Sequence, residues 1–194
     1  DGKGTIPKFS DAGRATFKTE KGRTVYGGGG INPDVEIKNP KTTKTTEILL
    51  KSDAFFNYVT DYFYKNPSIE SPLKFKLNDS DFSALKNFVI KNNEDFETDT
   101  EADFKKANET AISEYLDGSL SKTYTKLLGA IQSEKLKELD KNKSEILNKL
   151  TEEIIKRYYY NEGVYIQKTV FDNTILKAIS ILNNSNKYNS ILKN

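Results

Sequence analysis

Four consecutive glycines at positions 27–30 are the residues of this sequence whose spacing first points to chemistry, because glycine loops can wrap nucleotide phosphates. Such loops lead into a Lys-Ser or Lys-Thr pair and the N-terminus of a helix, whose N–H groups bind the phosphate. Here the run leads into Ile31, Asn32 and Pro33, and a proline disfavours helical geometry in the residue before it. The run therefore predicts a structural loop between two short strands.

Two residue types that dominate enzyme active sites are missing from the chain. The 194 residues contain no His and no Cys. This composition excludes a Ser-His-Asp triad, a Cys-His dyad, disulfide bonds and the ordinary ligand sets of zinc. We therefore predict no metal site.

Charge and hydropathy argue against two further classes of protein, those that bind nucleic acids and those that span a membrane. The formal net charge is +2, and acidic residues cancel the basic ones in runs such as residues 134–143, which we interpret as solvated helix faces. No aromatic residues interleave with these charges, so we predict no nucleic-acid partner. No apolar run reaches the roughly 18 residues of a transmembrane helix, so we also predict no membrane span.

Hydrophobic spacing divides the chain into three parts. Residues 1–38 predict a loop and short strands at 15–18, 24–26 and 35–37. Residues 39–46 are polar and contain a proline, and they predict a linker. Residues 47–194 repeat apolar side chains at three- and four-residue steps and predict a helical domain. The predicted fold class is therefore mainly α, with a C-terminal multi-helix domain preceded by a few short β-strands.

Within the helical part, the repeats predict helices over 54–65, from 79 onward, over 101–116, over 119–160 and from 173 onward. In the helix over 101–116, the predicted inward residues are Phe104, Ala107, Ala111, Ile112 and Tyr115. A polar patch at 138–144 predicts two antiparallel helices within 119–160, with one long helix as the alternative. Residues 161–163 predict a break or kink.

The stretch from Phe17 to Val35 resembles the end of the peptidase domain in bacterial carboxyl-terminal processing (tail-specific) serine peptidases. The pattern there is Phe-Lys-Thr-x-x-Gly-Arg-x-Val-Tyr-x-Gly-Gly-Gly-Ile-x-Pro-Asp-Val, and Gly27 departs from it where an acidic residue is expected. Weaker likenesses are Phe56-x-Tyr58 and Arg157 before three tyrosines. The motif residues, to which we assign structural roles, are Gly22, Arg23, Tyr26, Gly28, Gly29, Gly30, Pro33 and Asp34.

The resemblance implies a longer parent enzyme with a serine nucleophile, a lysine base and a substrate-guiding PDZ domain. These would all lie before Asp1, because no residue here matches either catalytic position; Lys3 is interpreted as a loop lysine. The short strands would then be the end of the peptidase sheet, and this fragment would be inactive. The resemblance also implies protein or peptide substrates, no cofactor, and a location in the periplasm or cell envelope.

The role of the helical domain stays open between oligomerisation as a homodimer, scaffolding, and docking of a partner or substrate. The candidate interface residues are Phe55, Tyr62, Phe63, Arg157, Tyr158 and Tyr159. The alternative for the tyrosines is packing of the long helix with their hydroxyls at the surface. Arg23 and Asp34 would either brace the glycine loop or line the peptidase cleft. The rival function is a stand-alone helical protein-interaction module without peptidase activity.

Overall fold

The computed structural model describes residues 13–28, 33–37, 42–92, 95–116 and 118–193. These residues form eight helices and one two-stranded antiparallel sheet near the N-terminus, which confirms the predicted fold class. The chain divides into two compact units. One comprises Asp1–Asn39 and Thr169–Asn194, and the other comprises Pro40–Lys168.

The sheet is a hairpin of β1 (Thr16–Lys18) and β2 (Thr24–Tyr26), in which Phe17 lies opposite Val25. Gly22 closes the turn with a φ of 86°, a conformation in which a Cβ atom would be strained. All six strand residues are exposed, so the hairpin buries neither of its faces against the described residues. A two-stranded sheet without a packed face is marginally stable on its own.

The predicted third strand at 35–37 is wrong. Residues 33–37 form a bend and irregular backbone without ladder partners. A strand needs a neighbouring strand to receive its N–H and C=O groups, and among the described residues β1 and β2 pair only with each other.

The second unit begins with three helices whose ends are set by side chains. They are α1 (Lys44–Lys51), α2 (Asp53–Lys65) and α3 (Asp79–Lys91). Ser52 accepts a hydrogen bond from the Phe55 N–H at 3.2 Å and so caps α2. Asn78 forms a reciprocal capping box with Asp81 at the start of α3.

Helices α4 (Asp99–Ser113) and α5 (Leu120–Lys141) pack against each other, and α5 also contacts α1. The inward positions predicted for α4 are wrong, because its only buried residue is Glu101. Phe104 and Ile112 are 37% and 50% exposed. The reason is that, among the described residues, α5 is the one helix that packs closely against α4.

Helix α6 (Lys143–Phe171) follows α5 after the single residue Asn142, whose φ and ψ of −101° and 15° are close to helical. The predicted division into two helices is confirmed, but an antiparallel pair needs a connecting loop of at least about two residues, so the predicted antiparallel arrangement is wrong. Inside α6, Tyr160 has φ 56° and ψ −161°, and the helix is broken there, one residue before the predicted site.

The core of the second unit joins α1, α2, α3, the end of α5, and α6. It consists of apolar residues that are at most 7% exposed: Leu49, Ala54, Phe55, Val59, Phe75, Leu77, Phe82, Leu85, Val89, Phe96, Leu139, Ile146, Leu150, Ile154, Ile155 and Val164. In the first unit, α7 (Asn173–Leu182) and α8 (Ser185–Lys193) contact each other, and α7 has no buried residue.

Candidate interaction site

An ion pair links two described residues of the glycine motif. The Arg23 guanidinium donates a hydrogen bond to the Asp34 carboxylate and so bridges the two sides of the loop. Gly27 lies where an added Cβ would be 2.9 Å from the Phe17 ring, and Gly28 has a φ of 82°. The motif residues Gly29 and Gly30 lie outside the described residues. Nearby, Tyr26 and Pro33 are exposed.

Two of the three consecutive tyrosines attach α6 to the end of α2 and the loop after it. The Tyr158 hydroxyl donates to the Asn66 carbonyl at 2.5 Å, and the Tyr159 hydroxyl donates to the Ile69 carbonyl at 3.2 Å. The Tyr158 ring also packs on Phe63, with ring centroids 4.9 Å apart. The Tyr158 hydroxyl thus serves a carbonyl that the end of α2 leaves without an intrahelical partner, and the Tyr159 hydroxyl serves a carbonyl of the loop that follows.

The break at Tyr160 brings the backbone at Gly163 close to the helical turns that precede the break. An added Cβ at Gly163 would lie 2.2 Å from Tyr159 Cβ and 3.1 Å from Ile155 Cγ2. No L-side chain fits at that distance, and Gly163 itself is buried. The sequence indicated the break through this glycine, but the strained backbone belongs to Tyr160.

Arg157 points toward α2 rather than into solvent. Its Cζ lies 4.8 Å from the centroid of the Phe56 ring, and its Nη2 donates to Thr60 Oγ1 at 3.4 Å. Phe56 itself is 56% exposed. A guanidinium over an aromatic face is favourable, and it keeps both groups in place at the surface.

Arg157 and Phe56 border a pocket of about 280 Å³ between α1, α2 and α6, which we call the α1–α2–α6 pocket. The pocket is lined by Leu50, Lys51, Ser52, Phe55, Phe56, Val59, Lys149, Glu153 and Arg157. Phe55 and Val59 are core residues and form an apolar floor. Two of the candidate interface residues, Phe55 and Arg157, therefore meet in this pocket.

The border of the pocket is cationic. It carries Lys51, Lys149 and Arg157 against a single acid, Glu153. Lys149 also pairs with Glu152 at 3.2 Å, but its side chain remains 51% exposed. An apolar floor beside an excess of positive charge suits an apolar side chain that is followed or preceded by an acidic group.

Tyr62, another candidate interface residue, lines a cleft of about 330 Å³ between α2 and α3. Burial raises the pKa of neighbouring Tyr58 to about 12, with a further contribution from the charge of Asp81. Burial also raises the pKa of Tyr62 and of Tyr158. These phenols therefore stay neutral and act as packing and hydrogen-bonding groups.

An ion pair that the sequence did not reveal lies at the start of α4. Lys135 Nζ is 2.8 Å from both carboxylate oxygens of Glu101 and 2.8 Å from the Phe96 carbonyl, and both charged side chains are 3% exposed. The interpretation of residues 134–143 as a wholly solvated face is therefore wrong at Lys135. The visible signal was Thr98-x-x-Glu101, a capping box that the structure contains.

Opposing effects set the charge state of Glu101. Burial alone would raise the pKa of this carboxyl group. Hydrogen bonds from Lys135 and Thr98, together with the charge of Lys135, outweigh burial and hold the pKa below its usual value. Glu101 is therefore a carboxylate at neutral pH and a structural anchor between α4 and α5.

Two further properties hold for the part of the chain that the structure describes. None of its helices has the length and apolar character that a membrane crossing requires. None of its clusters of acidic side chains has a geometry that could hold a metal ion.

The comparison with protein families identifies the helical part of the chain. The family model described as "Probable PDZ-protease, C-terminal helical domain" matches residues 45–182. No curated protein and no solved structure matches the chain significantly. The matched segment begins within α1 and ends with α7. Because the match covers more than half of the chain, this protein belongs to the family of C-terminal helical domains of probable PDZ-proteases.

Proposed function

We propose that the parent of this chain is a serine-type, tail-specific endopeptidase of the bacterial cell envelope. In this proposal a serine nucleophile and a lysine base lie in the parent outside the 194 residues, and no cofactor takes part. The family match supports a protease parent. The resemblance of the stretch from Phe17 to Val35 to the end of that peptidase domain supports the tail-specific class, and the Arg23–Asp34 ion pair agrees with the structural roles assigned to these two motif residues.

The helical domain itself is the docking part of that enzyme. It binds segments of protein substrates or partners, and the single observation that carries this role is the α1–α2–α6 pocket. Its apolar floor would take a large apolar side chain, and Lys51, Lys149 and Arg157 would attract a neighbouring acidic group. Arg157 is already ordered on Phe56, so little side-chain entropy is lost when it binds.

Docking is tested with fluorescent peptides that carry Leu-Phe flanked by glutamates, or the same pair flanked by lysines. We expect the acidic peptide to bind more tightly, and its advantage to shrink as salt screens the charges. Arg157→Glu should weaken binding about tenfold or more, because it reverses the charge beside Phe56. Lys137→Glu is the matched control, since Lys137 is 63% exposed and does not line the pocket. Equal binding of both peptides would refute this role.

The peptidase assignment needs the parent enzyme. We expect the parent to cleave a protein with a free C-terminal carboxylate faster than the same protein with a C-terminal amide. A metal chelator should leave the rate unchanged, and a serine-directed sulfonyl fluoride should abolish cleavage. The 194-residue chain alone should cleave neither substrate. Inhibition by the chelator would contradict the serine mechanism.

One observation favours the rival function of a stand-alone interaction module. Every core residue found in the described part of the chain lies between Leu49 and Val164, within the second unit. If this unit is the whole functional module, a chain beginning at Thr42 should retain the stability and peptide affinity of the full chain. Loss of affinity on removal of residues 1–41 would exclude the rival.

A further inference from the structure

Helices α4 and α5 form a pair that has little cover from the rest of the described chain. We call residues 102–134 the arm, and none of its described residues is buried. Leu120 and Leu127 of α5 are 47% and 37% exposed, and Phe104 and Ile112 of α4 are similarly exposed. Amphipathic helices of globular proteins bury such faces against a further layer. The arm therefore has an apolar face without a partner among the described residues.

The spacing of the apolar residues shows which kind of partner fits. In α5, Leu120, Tyr124, Leu127 and Ile131 follow each other at steps of four, three and four residues. This is the a/d spacing of helices that pack side by side in a bundle. Tyr124 and Ile131 are half-buried, while Leu120 and Leu127 in the same series stay exposed. Two helices cover half of such a seam, and four helices cover all of it.

Charge indicates that the two missing helices are a second α4 and a second α5. Residues 107–116 carry Glu109 and Glu114 and no basic residue, whereas residues 118–133 carry Lys122 and Lys126 and no acidic residue. A copy related by two-fold symmetry places α4 of one chain along α5 of the other. In that arrangement the acidic residues of each α4 lie beside the basic residues of the other copy's α5, so the favourable contact occurs twice.

The tip of the arm presents two large exposed side chains at the end of α4. Tyr115 has a φ of 61°, where glycine is the usual residue after a helix, and its side chain is 93% exposed. The adjacent Leu116 is 60% exposed. The Tyr115 and Leu116 N–H groups donate to the Ile112 and Ala111 carbonyls at 3.1 and 2.8 Å, so this conformation ends α4 in a hydrogen-bonded cap and leaves both large side chains at the surface, where a second copy would cover them.

We infer that the arm is a self-association surface, on which a second copy of this chain packs its own α4 and α5 to complete an antiparallel four-helix bundle. The contact is isologous, so each arm contributes the same residues to it. This surface shares no residue with the α1–α2–α6 pocket, so the inference does not depend on the docking role.

Sedimentation velocity of the full 194-residue chain measures the association directly. We expect a monomer–dimer equilibrium, and the double variant Leu120→Glu/Leu127→Glu should raise its dissociation constant about a hundredfold or more. The matched control is Ile90→Glu in α3, because Ile90 is equally exposed at 49% and lies outside the arm. A monomer at every accessible concentration, or a dimer weakened equally by the control, would overturn the inference.

Charge reversal keeps the test decisive if the glutamates in the double variant disturb folding. One variant carries Glu109→Lys/Glu114→Lys and the other carries Lys122→Glu/Lys126→Glu. Lysines near the end of α4 and glutamates near the start of α5 agree with the helix dipoles, so far-ultraviolet circular dichroism should show unchanged helicity.

Each reversed variant should be monomeric alone, because α4 and α5 then carry the same charge. An equimolar mixture should restore the dimer as a heterodimer, since each α4 again meets an oppositely charged α5. If the mixture stays monomeric while the unmodified chain dimerises, the arm is not the surface that associates.

Discussion

Replacing Lys135 by methionine isolates the contribution of the buried ion pair to stability. Methionine keeps most of the apolar stem, but it removes the ammonium group that lies 2.8 Å from both oxygens of Glu101 and from the Phe96 carbonyl. The Nζ atom is also 4.3 Å from the centroid of the Phe96 ring. In Lys135→Met the carboxylate of Glu101 stays buried and keeps only its bonds from Thr98. Removing one partner of a buried pair costs about 3–5 kcal/mol, so we expect a loss of that size at neutral pH.

The pH dependence provides a second, independent signature. In the unmodified chain the pKa of Glu101 is lowered from 4.5, so the pair's contribution is present above that pH and is lost as pH falls through the folded-state pKa. In Lys135→Met burial dominates, and the pKa of Glu101 rises above its usual value. The penalty in the variant then disappears once Glu101 is protonated. The stability difference between the two proteins should therefore shrink between neutral pH and about pH 4.

Urea unfolding followed by far-ultraviolet circular dichroism at these two pH values measures the difference. The matched control is Lys65→Met, which removes an exposed i,i+4 pair with Asp61 and should cost less than about 0.5 kcal/mol. The double variant Glu101→Gln/Lys135→Met should recover part of the loss, since no unpaired carboxylate remains. The reasoning fails if Lys135→Met costs no more than the control, or if the difference stays constant with pH.

Three further predictions concern the backbone of the helices and one phenol. In the same urea assay, Gly163→Ala should lower the free energy of unfolding by about 2 kcal/mol or more, because the added Cβ would lie 2.2 Å from Tyr159 Cβ. Gly129 has open space around it, so Gly129→Ala should raise the free energy of unfolding by about 0.5–1 kcal/mol. The Tyr160→Gly variant should be more stable than the Tyr160→Ala variant by about 1 kcal/mol, because a φ of 56° strains every residue with a Cβ. In a regular helix the alanine variant is the more stable one, so that order would contradict the helix break at Tyr160. In an absorbance titration Tyr58 should ionise near pH 12, and Tyr58→Phe should remove that ionisation step. Because the pKa of Tyr58 in the folded state lies above the usual 10.0, the contribution of Tyr58 to stability is lost as the pH rises from about 10 toward 12.

The helices could be predicted from the sequence because their signals are local. The repeat of apolar residues after Asp53 predicts a helix to about residue 65, and α2 ends at Lys65. The sequence predicts a helix from residue 79 onward, and α3 begins at Asp79, where the Asn78 side chain accepts hydrogen bonds from the Ser80 and Asp81 N–H groups. In both cases the residues that interact lie within four positions of each other along the chain, so the helix and its start can be predicted without knowledge of the tertiary structure.

The contacts between helices could not be predicted in the same way. Periodicity shows that Phe104 and Ile112 share a face, but it does not show what covers that face, and the described chain leaves it exposed. Lys135 is surrounded in sequence by alternating Glu and Lys, a pattern that is typical of solvent-facing helices. Its partner Glu101 is 34 residues away, and only the fold of α4 against α5 brings the two together. The α1–α2–α6 pocket likewise combines residues more than 100 positions apart, from Leu50 to Arg157.

The buried ion pair of Glu101 and Lys135 explains how α4 and α5 can have a defined position although no apolar residue of the arm is buried. Glu101 is the last buried residue before the arm, and Lys135 is the first buried residue after it. Their contact closes the base of the arm, and the Phe96 carbonyl and ring tie that base to the core. A buried charged pair is a poor source of net stability but specifies one geometry, because each charge is satisfied only by its partner. The arm can therefore keep its apolar face exposed and oriented for a second copy, and disrupting Lys135 should weaken self-association even though this residue lies outside the associating surface.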